Sequence, residues 1–311
     1  MDCKLIMTVE EMKDRAAWLR MRSGGIGGSD AAVIAGLSPW KSPYELYLEK
    51  TGEAAAPDLS DNERVYWGTV LEETVAREFT KRTGKKVYRR GLMQSTEHPF
   101  LLASIDRLVT GEDAGLECKT AGAYSKAAWE GDAIPPAYYC QCQHYMLVTG
   151  APYWYIAVLI GGQHYECRRI ERDAEDVAAL LRAESAFWHC VETKQPPALD
   201  GSDSCTAALR ERFAGGDLEP LQLPEDAADL IAEYDALKIA ETQAKRNRQE
   251  VENRLCGLLG DHEAGLIGDR RITWKTHPGR VTLDGKKLKL DFPAIYAKYA
   301  RAGRPYRTFR A

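Results

Sequence analysis

The chain has 311 residues, enough to bury a sizeable core and to hold one large domain or two. Hydrophobic residues make up 44% and charged residues 28%, and the net charge of -4 gives no global attraction to nucleic acid, so any DNA contact must use local basic patches. Eight cysteines without a repeating spacing, no signal peptide, and a longest apolar run (near Tyr153 to Ile160) too short to span a bilayer point to a reduced, cytoplasmic protein with no membrane partner.

Residues 8 to 22 read as a first helix, with Thr8 as cap and Trp18 and Leu19 supplying apolar surface. A glycine-rich turn follows, Arg22-Ser-Gly-Gly-Ile-Gly-Gly-Ser29-Asp30, leading into a helix that Ser29 is expected to cap. Such a turn exposes backbone N–H groups suited to phosphate, yet no strand precedes it and no Lys-Ser/Thr follows, so taken alone it is a tight turn with a cap. Trp40, in Ser38-Pro39-Trp40-Lys41-Ser42-Pro43-Tyr44, is read as a stacking platform for a base or, by preference, as packing in the core or in the turn before a helix over 43–51. Asn62 to Gly84 is a long helix with a stripe of Val65, Val70, Leu71, Val75 and Phe79, and with Glu72 in its middle. The run Lys81, Arg82, Lys85, Lys86, Arg89, Arg90 is read either as a phosphate track or as a solvated face.

Residues 104 to 120 read as a hairpin, Ser-Ile-Asp-Arg-Leu and Leu-Glu-Cys-Lys-Thr around a Gly-bounded turn. Alternation along the second strand points Glu117 and Lys119 to one face and Cys118 to the other, with Asp106 arriving from the neighbouring strand. Two carboxylates offer the hard oxygens that Mg2+ takes, and an adjacent lysine suits a water or a phosphate; a salt bridge on a solvated face fits the same residues. Pro135-Pro136 opens a helix that ends at Gly150 and carries Gln141 and Tyr145 one turn apart on one face. Cys140-X-Cys142 with His144 is read as packing rather than metal binding, since residues two apart on a helix diverge. Strands at 153–159 and 163–170 and a helix at 173–192, with Ala179, Leu180, Leu181, Phe187 and Trp188 inward, complete this part.

Several motifs in this order, namely Arg22…Ser29-Asp30, the segment 37–44, Trp67-Gly68 with Glu72, Ser104-Ile-Asp106, Leu116-Glu-Cys-Lys119 and Gln141-Cys-Gln-His-Tyr145, make residues 10 to 192 resemble the YqaJ-type viral recombinases. These are relatives of bacteriophage lambda exonuclease in the PD-(D/E)XK nuclease superfamily. The resemblance implies a restriction-endonuclease-like α/β (α+β) core with a mixed central sheet flanked by helices. It implies Asp106, Glu117 and the backbone carbonyl of Cys118 as ligands of Mg2+, with Mn2+ able to substitute. Lys119 and Gln141 would position the attacking water, Glu72 would support a second metal or the lysine, and Tyr145 would support that arrangement or simply pack. Arg22 and Ser29 would hold a terminal phosphate. Ile105 replaces the nominal proline before Asp106, a position that binds no metal.

By the same resemblance the activity is 5′→3′ digestion of one strand at double-stranded DNA ends, leaving 3′ overhangs for recombination. The expected partners are a single-strand annealing protein and further copies of the chain in a trimeric ring. A structure-specific endonuclease or a non-catalytic DNA-binding recombination factor on the same fold are the alternatives.

The expected organisation is an exonuclease domain over 1–195, a linker over 196–223 and an extension over 224–311. The extension begins with a long helix from Pro224 to about Gly260, whose residues Leu230, Tyr234, Leu237, Glu241, Ala244, Arg248, Val251, Leu255 and Leu258 follow a heptad seam. Strands are expected over 264–276 and 281–290, a helix near 292–302, and then a tail in which Arg301, Arg304, Arg307 and Arg310 alternate with Tyr306 and Phe309. That tail is read as a grip on DNA or as a solvated edge.

Overall fold

A computed structural model describes residues 2–59, 61–217, 219–303 and 307–310. The chain divides into two compact units, Met1–Arg212 and Phe213–Ala311.

The first unit begins with β1 (Cys3–Met7), which the sequence does not announce. A short 3-10 turn (Glu11–Lys13) and α1 (Arg15–Ser23) follow, where one helix over 8–22 was expected. Asp14 breaks the run by accepting from the Ala17 N–H at 3.0 Å. Thr8 and Glu11 hydrogen-bond each other across the turn before it. Next come α2 (Gly28–Ile34), α3 (Pro43–Thr51) and α4 (Glu63–Thr83). The cap of α2 is Gly27, not Ser29; the Asp30 carboxylate accepts from the Gly27 N–H at 3.0 Å. Asn62 caps α4 through the N–H groups of Arg64 and Val65, an arrangement that contributes about 1 kcal/mol. Only the second half of α4 is buried, through Val75, Ala76 and Phe79, so the expected stripe fails at its start: Val65 and Val70 are exposed.

The strands β2 (Val87–Tyr88), β3 (Gly91–Ser95), β4 (Leu102–Ile105), β5 (Arg107–Val109) and β6 (Gly115–Ala121) lead to α5 (Pro136–Thr149), β7 (Tyr153–Ile160), β8 (His164–Glu171) and α6 (Ala174–Thr193). They form an antiparallel sheet ordered β1-β3-β4 and a mixed sheet ordered β2-β5-β6-β7-β8, in which only β6 and β7 run parallel. Strand β7 lies inside the mixed sheet and reads as a continuous apolar run; Trp154, Ile156, Ala157 and Val158 are at most 1% exposed. Helix α6 buries Val177, Leu180 and Phe187, whereas Ala179 is exposed and Trp188 half-buried. Between α5 and α6 the core holds a polar pair: His144 Nδ1 lies 2.8 Å from Glu184 Oε1, and its Nε2 lies 2.8 Å from the Leu102 carbonyl. Both ring nitrogens face acceptors, so the imidazole is held as a cation; burial opposes this, and the Glu184 carboxylate outweighs it and raises the pKa.

The segment read as a linker contains α7 (Asp203–Arg212), whose Cys205 and Ala208 join the core of the first unit. The second unit contains α8 (Ala227–Leu259), the hairpin β9 (Ala264–Ile267) and β10 (Arg270–Thr273), then α9 (Gly285–Asp291) and α10 (Pro293–Tyr299). The strand expected over 281–290 is thus a helix from Gly285, capped by Asp284, which accepts from the N–H groups of Lys286 and Lys287. Arg304 and Tyr306 of the expected tail lie outside the described residues.

Candidate active site

The expected hairpin is divided at Asp106. Strand β4 pairs back to β3, whereas β5 pairs forward to β6, so Asp106 sits where the chain passes from one sheet to the other. Its Oδ2 accepts from the Cys118 N–H at 2.8 Å, a side chain standing in for a ladder carbonyl. This bond fixes the carboxylate beside β6. There Glu117 and Lys119 share a face, and Lys119 Nζ lies 2.6 Å from Glu117 Oε1.

Helix α5 closes the site from above. Gln141 accepts from Lys119 Nζ at 2.9 Å through Oε1, and its Nε2 donates to Glu117 Oε1 at 2.8 Å and to Tyr145 Oη at 2.7 Å. Tyr145 Oη in turn donates to the Ser104 carbonyl at 3.1 Å. The ring of Tyr138 lies beneath Lys119, with Nζ 4.8 Å from its centroid.

The glycine turn reaches the same place. Arg22 Nη2 donates to Ser29 Oγ, and Asp30 Oδ1 lies 3.5 Å from Arg22 Nη2. Buried Asp30 also pairs with Lys50 Nζ at 2.8 Å, and Lys50 further donates to the carbonyls of Arg22 and Gly25. Burial alone would raise the Asp30 pKa, but Lys50 and Arg22 hold it down at about 2. Gly28 brings α2 against α5: a Cβ there would lie 2.6 Å from Tyr145 Cε1. Arg22, Gly27, Gly28, Ser29, Ser104, Asp106, Glu117, Gln141 and Tyr145 thereby line one cavity of about 180 Å3.

Glu72 is placed otherwise. Its Oε1 accepts from Arg107 Nη1 at 2.5 Å and from Arg89 Nη2 at 3.4 Å, so its carboxylate is taken by arginines rather than by Lys119. Arg107 also binds Glu73 at 2.8 Å, and it is buried. The sequence reading missed Arg107, Lys50 and Tyr138, and quoted Asp30 in a motif without giving it a role. The charge alternation at Asp106-Arg107 was the available signal for Arg107; nothing local marks Lys50, which comes from another helix. The basic run is largely paired: Arg82 with Glu78, Lys85 with Glu112, and Arg89 with Glu72 and Glu73. Trp40, expected to pack, is 79% exposed. Cys140, Cys142 and His144 are buried, and both cysteines are free thiols.

The electrostatics favour a bound cation. Burial raises the Asp106 pKa well above the usual carboxylate range, and repulsion from Glu117 and Glu72 adds to it. Glu117 Oε2 is buried without a hydrogen-bond partner. Two close carboxylates, one with an orphaned oxygen, fit a hard divalent cation. Among the described residues no three side chains of His, Cys, Asp or Glu group around a common point, so the side-chain set is two carboxylates. Lys119 is also buried, which alone would lower its pKa; Glu117 and Asp106 more than offset this and keep it charged.

A family model described as the YqaJ-like viral recombinase domain matches residues 17–152. The uncharacterized protein YqaJ of Bacillus subtilis (strain 168) is 40% identical over 289 residues, covering 91% of this chain and 90% of that protein. Protein R354 of Acanthamoeba polyphaga mimivirus is 24% identical over 145 residues, covering 42% and 26% respectively. Among solved structures, LHK-Exo in complex with dAMP matches with a TM-score of 0.50 and 24% identity over 58% of this chain and 94% of its own. LHK-Exo is an alkaline exonuclease from Laribacter hongkongensis. The shared feature is the fold, a mixed sheet flanked by helices.

Proposed function

The chain belongs to the YqaJ-like viral recombinase family, and from that premise we propose that it is a Mg2+-dependent deoxyribonuclease acting on duplex DNA ends. It digests one strand 5′→3′ and leaves a 3′ overhang for single-strand annealing. The observation that carries this reading is the single cavity lined by both Arg22 with Ser29 and Asp106 with Glu117.

Asp106, Glu117 and the carbonyl of Cys118 would hold the cation, with Mn2+ a competent substitute. When bound, it neutralises charge on the phosphodiester and lowers the pKa of an attached water. Every other step follows from the residues themselves. The Lys119 ammonium has three donors, of which Glu117 and Gln141 take two. The third is free for the attacking water or a phosphate oxygen. From that position the Lys119 amine would orient the attacking water and stabilise charge on the phosphate. Gln141 commits both its N–H donors to Glu117 and Tyr145, and its Oε1 accepts from Lys119 with one lone pair, leaving the other to accept from the water. Tyr145 anchors that amide. Arg22 and Ser29 bind the 5′-terminal phosphate and so set the scissile bond at a fixed distance from the strand end. Glu72 acts through Arg107 as part of the field around Asp106. A single-strand annealing protein would take the overhang, further copies of the chain would assemble as a ring, and the host cytoplasm is the setting.

Three substrates test this in Mg2+: linear duplex with a 5′ phosphate, linear duplex without one, and covalently closed circular duplex. The expected order of digestion is phosphorylated, then unphosphorylated, with the circle untouched. A cut circle marks an endonuclease, and three intact substrates mark a binding factor. Asp106→Ala and Lys119→Ala should each abolish digestion while keeping wild-type circular dichroism; normal digestion by either removes the site assignment.

A further inference from the structure

The acidic bulk of this chain conceals a basic end. From Ala264 to Ala311 there are twelve Lys and Arg against three Asp and Glu, whereas the preceding 263 residues carry 30 against 43. Arg270, Arg271, Lys275, Arg280, Lys286, Lys287 and Lys289 are all exposed. Among the described residues, none of these seven has a carboxylate within ion-pair distance. One of the three acids, Asp284, is already engaged as the cap of α9. In the first unit, by contrast, Lys41 pairs with Glu49 and Lys85 with Glu112. A run of unpaired basic side chains concentrates positive potential around it.

Interleaved with these charges are exposed rings: Trp274 is 54% exposed, Phe292 56%, Tyr299 71% and Phe309 71%. Lys289 and Lys298 lie over Tyr296 and Tyr299, 5.6 and 5.5 Å from the ring centroids. Cations keep the phosphate backbone close, and exposed rings stack on bases that are not already stacked in a duplex. We infer that residues 264–303 and 307–310 form a binding site for single-stranded DNA, made of residues other than those that line the carboxylate cavity. The binding chemistry stands on charge and rings alone. That the bound strand is the overhang left by digestion rests on the proposed nuclease reading.

The test is fluorescence anisotropy with the full chain in EDTA, which silences cleavage, on a labelled 30-nucleotide single strand and the matching duplex across a salt series. Neutralising five charges (Arg270→Gln, Arg271→Gln, Lys286→Gln, Lys287→Gln, Lys289→Gln) should weaken single-strand binding at least tenfold. It should also reduce the slope of log K against log salt by about 3 to 4, at roughly 0.7 per contact. Trp274→Ala with Tyr299→Ala should weaken it about tenfold with the slope unchanged. Unchanged single-strand affinity in both variants overturns the inference. So does a loss confined to the duplex, or a loss seen only with anionic phospholipid vesicles in place of DNA. Digestion of 5′-phosphorylated duplex in Mg2+ is followed in parallel. Strand binding through these residues without any digestion refutes the nuclease reading alone; digestion with strand binding indifferent to the substitutions refutes this inference alone.

Discussion

Adding one methyl group at Gly28 should separate the two halves of the cavity. A Cβ at this position would sit 2.6 Å from Tyr145 Cε1, 2.9 Å from its Cζ and 3.0 Å from Gln141 Cγ. The ring cannot swing aside, because Tyr145 is buried against Trp154 with centroids 5.4 Å apart and its hydroxyl bonds both Gln141 and Ser104. To reach ordinary contact, α2 must move by nearly an ångström, carrying Ser29 with it. Overpacking of this kind costs about 1–3 kcal/mol. The better helix propensity of alanine returns at most about 1 kcal/mol, and less at a first helical residue. A net loss of about 1–2 kcal/mol in a unit of this size lowers Tm by roughly 2–8 °C. A misplacement of about 1 Å should reduce kcat/KM on 5′-phosphorylated duplex by about a hundredfold. Gly27→Ala is the stability control: its Cβ would meet nothing closer than 3.7 Å, so its cost should stay within about 1 kcal/mol. Calorimetry and digestion of end-labelled duplex read both quantities. A Gly28→Ala chain with wild-type Tm and wild-type rate would show that the approach of α2 to α5 does not organise the cavity.

Other perturbations probe the buried charges. Asp106→Asn should raise Tm in EDTA, because it removes one of two repelling carboxylates while its amide oxygen still accepts from Cys118; it should also abolish the Tm rise that wild type shows on adding Mg2+. An unaltered Mg2+ response would exclude Asp106 as a ligand. Glu184→Gln leaves His144 without its counterion and should cost about 3–5 kcal/mol. The same pair sets a pH dependence. The folded pKa of His144 is raised, so its contribution is complete below the unfolded imidazole pKa of about 6.5 and is lost as pH rises through the folded value. Wild-type Tm should therefore fall with pH in that window, and the variant should lack this component. Asp30→Asn should erase the preference for a 5′ phosphate by loosening Arg22 and the Gly27 turn, with slower loss of activity on unphosphorylated ends. An intact preference would mean that Arg22 needs no support from below.

Much of this architecture was legible because local rules and tertiary packing agree. Asn62 and Gly84 bracket α4, Pro136 and Gly150 bracket α5, and the apolar run at 153–160 can only be an inner strand. Alternation alone gave the shared face of Glu117 and Lys119, and helical spacing gave that of Gln141 and Tyr145. What escaped was set by distant partners. Strand β1 carries no alternating pattern of its own and forms because β3 receives it. The division at Asp106 depends on which sheet each half-strand joins. Arg107 and Lys50 look like ordinary surface cations in the sequence, yet each is drawn inward by carboxylates from another element. Val281 to Leu290 shows strand-like composition in part, but Asp284 offers a cap that the Lys-Lys-Leu-Lys run can follow into a helix.

The adjacency of Asp106 and Arg107 couples two surfaces through a single peptide unit. Arg107 reaches back to the Asp106 carbonyl at 2.6 Å while its other contacts grip Glu72 and Glu73 on α4. Any force that slides α4 along its axis, such as a strand of DNA or a neighbouring protein pressing on its solvent-facing Tyr66 and Trp67, would tug on that guanidinium and so twist the carboxylate one residue away. Mechanical strain on the outside of the molecule would then be felt in the carboxylate cavity without any rearrangement of the sheets between them.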